Sequence, residues 1–520
     1  MCGIFIILSK NGVFLKEQME VILSNFRKLS RRGPDKYSLT ISSNCIIGFQ
    51  RLAINDTSDN GMQPFQYGET FTICNGEIYN YDELSMDNPD FSPKSMSDCE
   101  ILPYLFNNYT FEKSLNKLDG VFAISHLTKN KLYLARDRLG VKPIFYGEND
   151  NFFVVASEAK ALENLVENTQ QLDPATIMEV CLQTYSKEYY SYTYIPTKSN
   201  IDHSYEDSVE KIHNLLIKSV QKRMTSDREI GCLLSGGLDS SIISSILSKE
   251  MKKQGKTLHT FSVGFPDSTD IIYARQVASH IGSEHHEYII QYEDALERIE
   301  DVIIATETHD TTSVRASTPM FLLCEWINKN FPHKVIFSGE GSDELFCGYL
   351  YFHKAPTPND AHEDSIRLLQ ELYKYDVLRA DRCTAGNGLE FREPFLDKDL
   401  IDFVATMEPS YKVPRKYEDV FYEKEILRRA FCGDYLPDNV LWRRKAAFSD
   451  AVSSSQKPWY KWIQEYAKEK GKTESEYYKN LFYRNFNSYK FNTPLWLPRW
   501  SDVGEEPSAT VLDVYKKEEH

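Results

Sequence analysis

No apolar run in this 520-residue chain approaches the length needed to span a membrane. The stretch most easily mistaken for a secretory signal core is Cys2–Leu8. It has no basic residues before it and no small-residue cleavage site after it, so it reads as a buried first strand. Basic residues are in deficit: 60 Lys and Arg against 76 Asp and Glu leave a net charge of -16. That balance argues against nucleic acid or an anionic membrane as partner, because those surfaces are themselves negative. The ten cysteines include no CxxC pair and no close grouping with histidine. Their scatter disfavours a zinc site or a disulfide framework and predicts a reducing, cytoplasmic location. Internal repeats and low-complexity tracts are also lacking. What remains is a globular composition, 41% hydrophobic and 13% aromatic, on a chain long enough for roughly two to four domains.

Residues 1–190 alternate short apolar runs with polar turns: Cys2–Leu8, Asn44–Phe49, Thr70–Cys74, Val121–Leu127 and Phe152–Ala156. Helical spacing interrupts them near Leu15–Leu29 and Cys99–Asn107. The pattern predicts an α+β domain of layered antiparallel sheets. A polar, Tyr-rich segment then places a linker at residues 191–205. Over residues 206–520 strands alternate with helices: helix Ser208–Arg223, β run Glu229–Leu234, a Gly-rich loop, helix Asp239–Lys252, strand Leu258–Val263, helix Ile271–Ile281 and strand His286–Ile290. This second domain is predicted to be α/β, with a parallel sheet and a mainly helical C-terminal part beyond about residue 365. The stretch holding Pro494, Trp496, Pro498 and Trp500 predicts an irregular tail.

Cys2 carries the first chemistry. Once Met1 is removed, a thiol with a reference pKa near 8.5 and an α-amine near 7.7–8 share one residue, so nucleophile and base lie side by side. A lone cysteine opening a strand would otherwise be a small buried hydrophobe. Its neighbours argue for reactivity. Arg31-Arg32-Gly33-Pro34-Asp35 forms a turn that brings cations near the first strand, and Arg51 offers a planar fork for a carboxylate. Asn75 and Gly76 supply an amide and a backbone N–H for an oxyanion, and Asp98 a carboxylate for a substrate α-ammonium.

Ser235-Gly236-Gly237-Leu238-Asp239-Ser240-Ser241 joins a β run to a helix, the arrangement that cradles phosphates on backbone N–H groups. It lacks the Gly-Lys-Ser/Thr ending of a Walker A loop, which fits pyrophosphate release better than γ-phosphoryl transfer. Phe261-Ser262-Val263-Gly264 ends the next strand, where an adenine could rest. Ser338-Gly339-Glu340-Gly341-Ser342-Asp343-Glu344 gives a second glycine loop with carboxylates for Mg²⁺ or a proton.

Two resemblances follow. Over residues 1 to about 165 the ordered motifs MCGI, RRGPD, RLAI, NGEIYN, SDCE, ARDRLG and SEAK resemble the class II glutamine amidotransferases, which are N-terminal-nucleophile hydrolases. That likeness implies Cys2 as nucleophile and Asn75 and Gly76 as oxyanion donors. Glutamine would be bound by Arg51, Leu52, Ala53, Ile54, Asn75, Gly76, Glu77 and Asp98. Across nearly the whole chain, IGCLLSGGLDSS, VRAST, IFSGEGSDEL, GYLYFHKAP and VLRADR resemble the eukaryotic-type glutamine-hydrolysing asparagine synthetases. The implied second domain is an ATP pyrophosphatase. Aspartate and MgATP would form β-aspartyl-AMP and pyrophosphate, and ammonia tunnelled from glutamine would displace AMP. The likeness assigns Leu234, Ser235, Gly236, Gly237, Asp239, Ser240, Val263, Ser338 and Gly339 to ATP, Asp239 and Asp343 to Mg²⁺, and Thr312 and Arg315 to substrate and phosphate. Glu340, Lys445, Arg315 and Asp397 would complete the catalytic set, and a homodimer is implied by analogy.

The chain departs from those families at Arg31 (usually His), Ser313 (Thr), Cys347 (often Gly), Glu393 (Val), Ala446 (Glu) and Ala451 (Gly). A related amide-forming synthetase is one alternative, but such relatives lose the nucleophilic cysteine. A catalytically silent sensor or scaffold is another, expected to lose Cys2, Asp239, Glu340 or Lys445; all four are present.

Overall fold

The run at the N-terminus becomes the strand Gly3–Ser9, buried along its whole length at the interior of a six-stranded antiparallel sheet. It pairs on one side with Cys45–Arg51 and on the other with Phe152–Ala156. Ile4, Ile6 and Leu8 face a second six-stranded antiparallel sheet, meeting Ile73, Leu132, Leu134 and Met178. Phe5 and Ile7 point the other way, onto Ile22 and Phe26 of the helix Lys16–Arg27. Burial on both faces explains why the run is continuously apolar rather than alternating. On the far side, Cys74, Phe122, Ile124 and Ala135 of the second sheet are covered by Ile101, Leu102 and Leu105 of the helix Ile101–Asn108. The layers are thus helix, sheet, sheet, helix, as the α+β expectation requires. The structure is a computed structural model and describes residues 1–197, 203–417, 420–445, 452–453, 457–486 and 495–501.

Beyond the first two sheets the register changes hand. Five parallel strands lie in the order Glu284–Ile289, His259–Gly264, Ile230–Leu233, Val335–Phe337 and Glu390–Arg392. The helices Leu238–Lys253 and Thr269–Ile281 follow their strands directly, and Thr311–Asn330 precedes the fourth. The fifth strand interrupts a region read as mainly helical. Glu-Phe-Arg is too short and too charged to signal a strand, and it is buried because Arg392 and Glu390 neutralise one another. The segment read as an irregular tail has no helix or strand where it is described, at residues 495–501, and it is docked: Trp496 lies against Tyr349 and Tyr351, and its backbone N–H donates to Asp310 Oδ1 at 2.8 Å. No helix among the described residues is long and apolar enough to cross a membrane.

The two halves meet over buried charge. Arg32 Nη1 lies 2.8 Å from Glu158 and 3.0 Å from Asp381, while its Nε donates to the Cys2 carbonyl at 2.9 Å. Glu307 accepts the N–H groups of Ala159 and Lys160. Gly33 permits this turn: a Cβ there would fall 2.1 Å from the Gln50 backbone. Arg31, by contrast, points outward, so its departure from the usual histidine touches only the surface.

Candidate active sites

Cys2 immediately precedes the strand Gly3–Ser9 and faces a small cavity of about 30 Å³. Its N–H donates to Asn75 Oδ1 at 2.8 Å, and its thiol points to the Leu52 carbonyl at 3.7 Å. Asn75 Nδ2 is buried and has no hydrogen-bond partner among the described residues. A buried unpaired amide donor is costly unless a ligand satisfies it, so it suits an oxyanion. Gly76 sits next to it because the adjoining strand leaves no room: a Cβ would lie 2.2 Å from the Val121 carbonyl. Burial raises the Cys2 thiol, against the pull of the N-terminal ammonium. With Met1 in place the nitrogen of Cys2 is a peptide amide, and the thiol has no adjacent free amine. Met1 itself is buried, its ammonium 3.6 Å from Glu390.

The same cavity gathers carboxylates. Asp98 accepts the Ile78 N–H at 2.7 Å, and Glu77 accepts from Asn55 at 2.6 Å. Burial, then Asp98 and Glu390, push Glu77 well above the usual carboxylate range, with Arg392 at 3.2 Å opposing. Burial also raises Asp98. Carboxyls raised mainly by burial gain from a bound cation, so the pair suits a substrate ammonium. Arg51 is anchored by the carbonyls of Ser58 and Asp56 and lines the cavity with Leu52 and Ile54. Ala53 works through its backbone, its N–H on Asp35 and its carbonyl accepting from Arg228 across the domain boundary. Glu390 and Arg392 were not legible as part of this site, because they arrive from the fifth parallel strand.

A larger cleft, about 270 Å³, opens at the C-terminal ends of the parallel strands, where ligands bind in open α/β sheets. Gly236 adopts φ 74°, and a Cβ there would meet Ala274 N at 2.5 Å. The loop is laced by Ser235 Oγ and Ser240 Oγ at 3.0 Å, and it leads into the sixteen-residue helix Leu238–Lys253. Gly339 lets the second loop press on the first: its Cβ would lie 2.7 Å from the Asp239–Ser240 backbone. Leu234, Ser235, Gly237, Asp239, Ser240, Val263, Ser338 and Gly339 line the cleft together.

Its charges form one chain. Lys424 Nζ is 2.7 Å from both Asp239 oxygens and 2.6 Å from Asp343, whose other oxygen meets Lys445 Nζ at 2.6 Å. Burial alone would raise Asp343, but Lys424 and Lys445 hold it far below the ordinary range. Lys445 rises in turn, despite burial, through Asp343 and Asp239. Burial raises Glu340, which pairs with Arg379 at 2.7 Å. Thr312 lines the cleft with a buried Oγ1 that has no hydrogen-bond partner among the described residues. Lys424 and Arg379 escaped sequence reasoning. One signal for Lys424 is structural: a non-glycine residue at φ 56°, a strained conformation that clusters at functional sites. Asp239 and Asp343 already converge on one cation, and carboxylate oxygens on two adjoining loops fit a hard divalent ion.

Two expected members of the cleft lie elsewhere. Arg315 is buried against Glu474, with Nε to Oε1 at 2.7 Å and Nη2 to Oε2 at 2.5 Å, and it does not line the cleft. Its helix turns the guanidinium away from the face that presents Thr312. Asp397 caps the helix Lys398–Thr406 and pairs with Arg223 at 2.8 Å and Lys222 at 2.7 Å, also outside the cleft. Glu393 likewise faces the domain boundary, not the cleft. Cys347 has φ 51°, in the left-handed region that glycine favours. Ala446 and Ala451 lie outside the described residues.

The fold and the two sites define a class: an N-terminal-cysteine amidotransferase joined to an ATP-dependent synthetase. The Glutamine amidotransferase domain family matches residues 1–199, and the Asparagine synthase family matches residues 211–362 and 355–496. Over 562 residues the chain is 39% identical to a probable asparagine synthetase (glutamine-hydrolysing) of Acanthamoeba polyphaga mimivirus, covering 99% of this chain and 100% of that protein. It is 38% identical over 568 residues to the asparagine synthetase of Gallus gallus and 37% identical over 573 residues to that of Homo sapiens, covering 99% of each chain. The chain belongs to the glutamine-hydrolysing asparagine synthetases.

Proposed function

We propose that the enzyme makes asparagine from aspartate, ATP and glutamine-derived ammonia. After Met1 is removed, the free amine of Cys2 takes the thiol proton and sulfur attacks the glutamine side-chain carbonyl. Asn75 Nδ2 and the Gly76 N–H hold the oxyanion, while Asp98 and Glu77 hold the α-ammonium and Arg51 the α-carboxylate. Ammonia leaves, and water releases glutamate from the thioester. In the cleft the Ser235–Ser240 loop and Ser338–Gly339 hold the triphosphate and Val263 the adenine. The β-carboxylate of aspartate attacks the α-phosphorus, releasing pyrophosphate, and Lys445 stabilises the charge that develops. Asp239 and Asp343 would hold Mg²⁺, which neutralises phosphate charge when bound. Glu340, its carboxyl raised by burial, is suited to accept a proton as ammonia displaces AMP.

The observation that carries this reading is the strand Glu390–Arg392. Glu390 lines the cysteine cavity, and the Arg392 carbonyl accepts the N–H of Ser338, which lines the cleft. One strand therefore ties both sites together. Residues 1–190 and 206–520 would act as the two catalytic domains around residues 191–205, in the cytoplasm and as a homodimer. The test is to supply aspartate, MgATP and glutamine and follow the products. Asparagine, glutamate, AMP and pyrophosphate in equal amounts are expected; ADP and phosphate would overturn the adenylate route.

A further inference from the structure

At the opposite end of the parallel sheet from the nucleotide cleft, three metal-ligating side chains meet. His259 opens one strand and Glu284 opens its parallel neighbour, and the register pairs them directly, with His286 opposite Phe261. His259 and His286 therefore project from the same face. His259 Nδ1 lies 3.0 Å from His286 Nε2, and His286 Nε2 lies 3.6 Å from Glu284 Oε1. One donor atom from each of the three falls within 4.8 Å of the others. Donors bound to a tetrahedral zinc ion at about 2.0–2.1 Å stand about 3.3–3.4 Å apart. Two edges of the triangle already bracket that spacing; Glu284 Oε2 lies 3.5 Å from the other ring nitrogen of His259, Nε2, and its 59% exposed side chain can turn the carboxylate onto the ion.

The surroundings fix the two imidazoles while leaving the site open. The rings of His259 and His286 stack at 5.2 Å and 14°, and Phe331 lies 4.5 Å from His286. Behind them His333 is only 3% exposed, its ring 4.5 Å from that of His259, and its buried Nδ1 has no hydrogen-bond partner among the described residues. Side-chain exposures of 28% at His259 and 19% at His286 let an ion enter and keep a water as fourth ligand. The set is two nitrogens and one carboxylate oxygen, which suits borderline first-row ions and not Mg²⁺.

We propose that His259, Glu284 and His286 form a binding site for a divalent transition metal, Zn²⁺ being the ion the ligands suit best, which pins the outer strand Glu284–Ile289 to its neighbour. The site is separate from the chemistry. Glu284→Gln and the double variant His259→Gln/His286→Gln test it in the full chain, freed of metal by chelation and then titrated with Zn²⁺ alone. Wild type should bind Zn²⁺ at this site and gain thermal stability on binding. Each variant should lose that gain, with affinity at the site falling roughly tenfold or more. Glu284→Gln changes an exposed side chain, so it reports even if the double variant folds poorly. Co²⁺ identifies the ligands: a spectrum without a thiolate-to-metal band, lost in the variants, is expected. Zn²⁺ binding unchanged in both variants, binding only at thiolates, or no binding by wild type would overturn the proposal and leave a hydrogen-bonded imidazole pair.

Discussion

Replacing Glu393 by glutamine should remove a pH-dependent weakness from the fold. The side chain is fully buried, and neither carboxylate oxygen has a hydrogen-bond partner among the described residues. Burial pushes its carboxyl up to about 7; Lys142, Arg223 and Arg392 pull it down, while Asp137 adds to the rise. In the unfolded chain the group titrates near 4.5. A carboxyl raised on folding binds its proton more tightly in the native state. Its contribution to stability is therefore fully present below about 4.5 and lost as pH rises to about 7. At about 1.4 kcal/mol per pH unit, the total loss is about 3 kcal/mol, most of it between pH 5 and pH 8. Glutamine does not titrate. Any cost of fitting its amide is the same at every pH, so the pH-dependent part isolates the carboxyl. Urea unfolding of both proteins at intervals from pH 5 to pH 8 measures this. The stability of Glu393→Gln relative to wild type should climb by about 2–3 kcal/mol over that range. A difference that stays flat across the range would refute the reasoning.

Cys2→Ala should abolish glutamine-dependent asparagine formation and leave ammonia-dependent formation intact; retained use of glutamine would remove Cys2 as the nucleophile. Lys424→Met leaves Asp239 and Asp343 facing each other without the ammonium between them. Asparagine formation from either nitrogen source should fall on the order of 10²–10³-fold while glutaminase turnover is spared, because the cation lies in the cleft and not the cysteine cavity. Arg32→Met leaves Glu158 and Asp381 with only Lys160 and Arg382 as cations at the domain boundary and should cost about 1–3 kcal/mol, read by chemical denaturation. The same variant should release more glutamate than asparagine, since Arg32 also holds the Cys2 carbonyl; a preserved one-to-one ratio would show the contact to be purely structural.

Much of the fold was legible because its signals are local. The strand Gly3–Ser9 announces itself as an apolar run, and helix Leu238–Lys253 follows a glycine loop whose backbone only glycine tolerates at Gly236. The strand Glu390–Arg392 gives no such signal, since its two charged residues become tolerable only beside each other and Glu77. Arg315 and Asp397 were misplaced for the converse reason. A motif fixes their position along the chain but not the direction of the side chain, and nearby opposite charges, Glu474 and Arg223, took both.

The sequence by itself determined the two chemistries, because a terminal thiol and a phosphate loop are each encoded within a few contiguous residues. Tertiary structure alone decided how they are completed. Lys424 reaches Asp239 across 185 positions, Arg32 reaches Asp381 across 349, and His259 meets His286 across 27 through parallel pairing. Buried charges must find partners wherever packing brings them. The pairings depend on which surfaces lose water together, which no local pattern records.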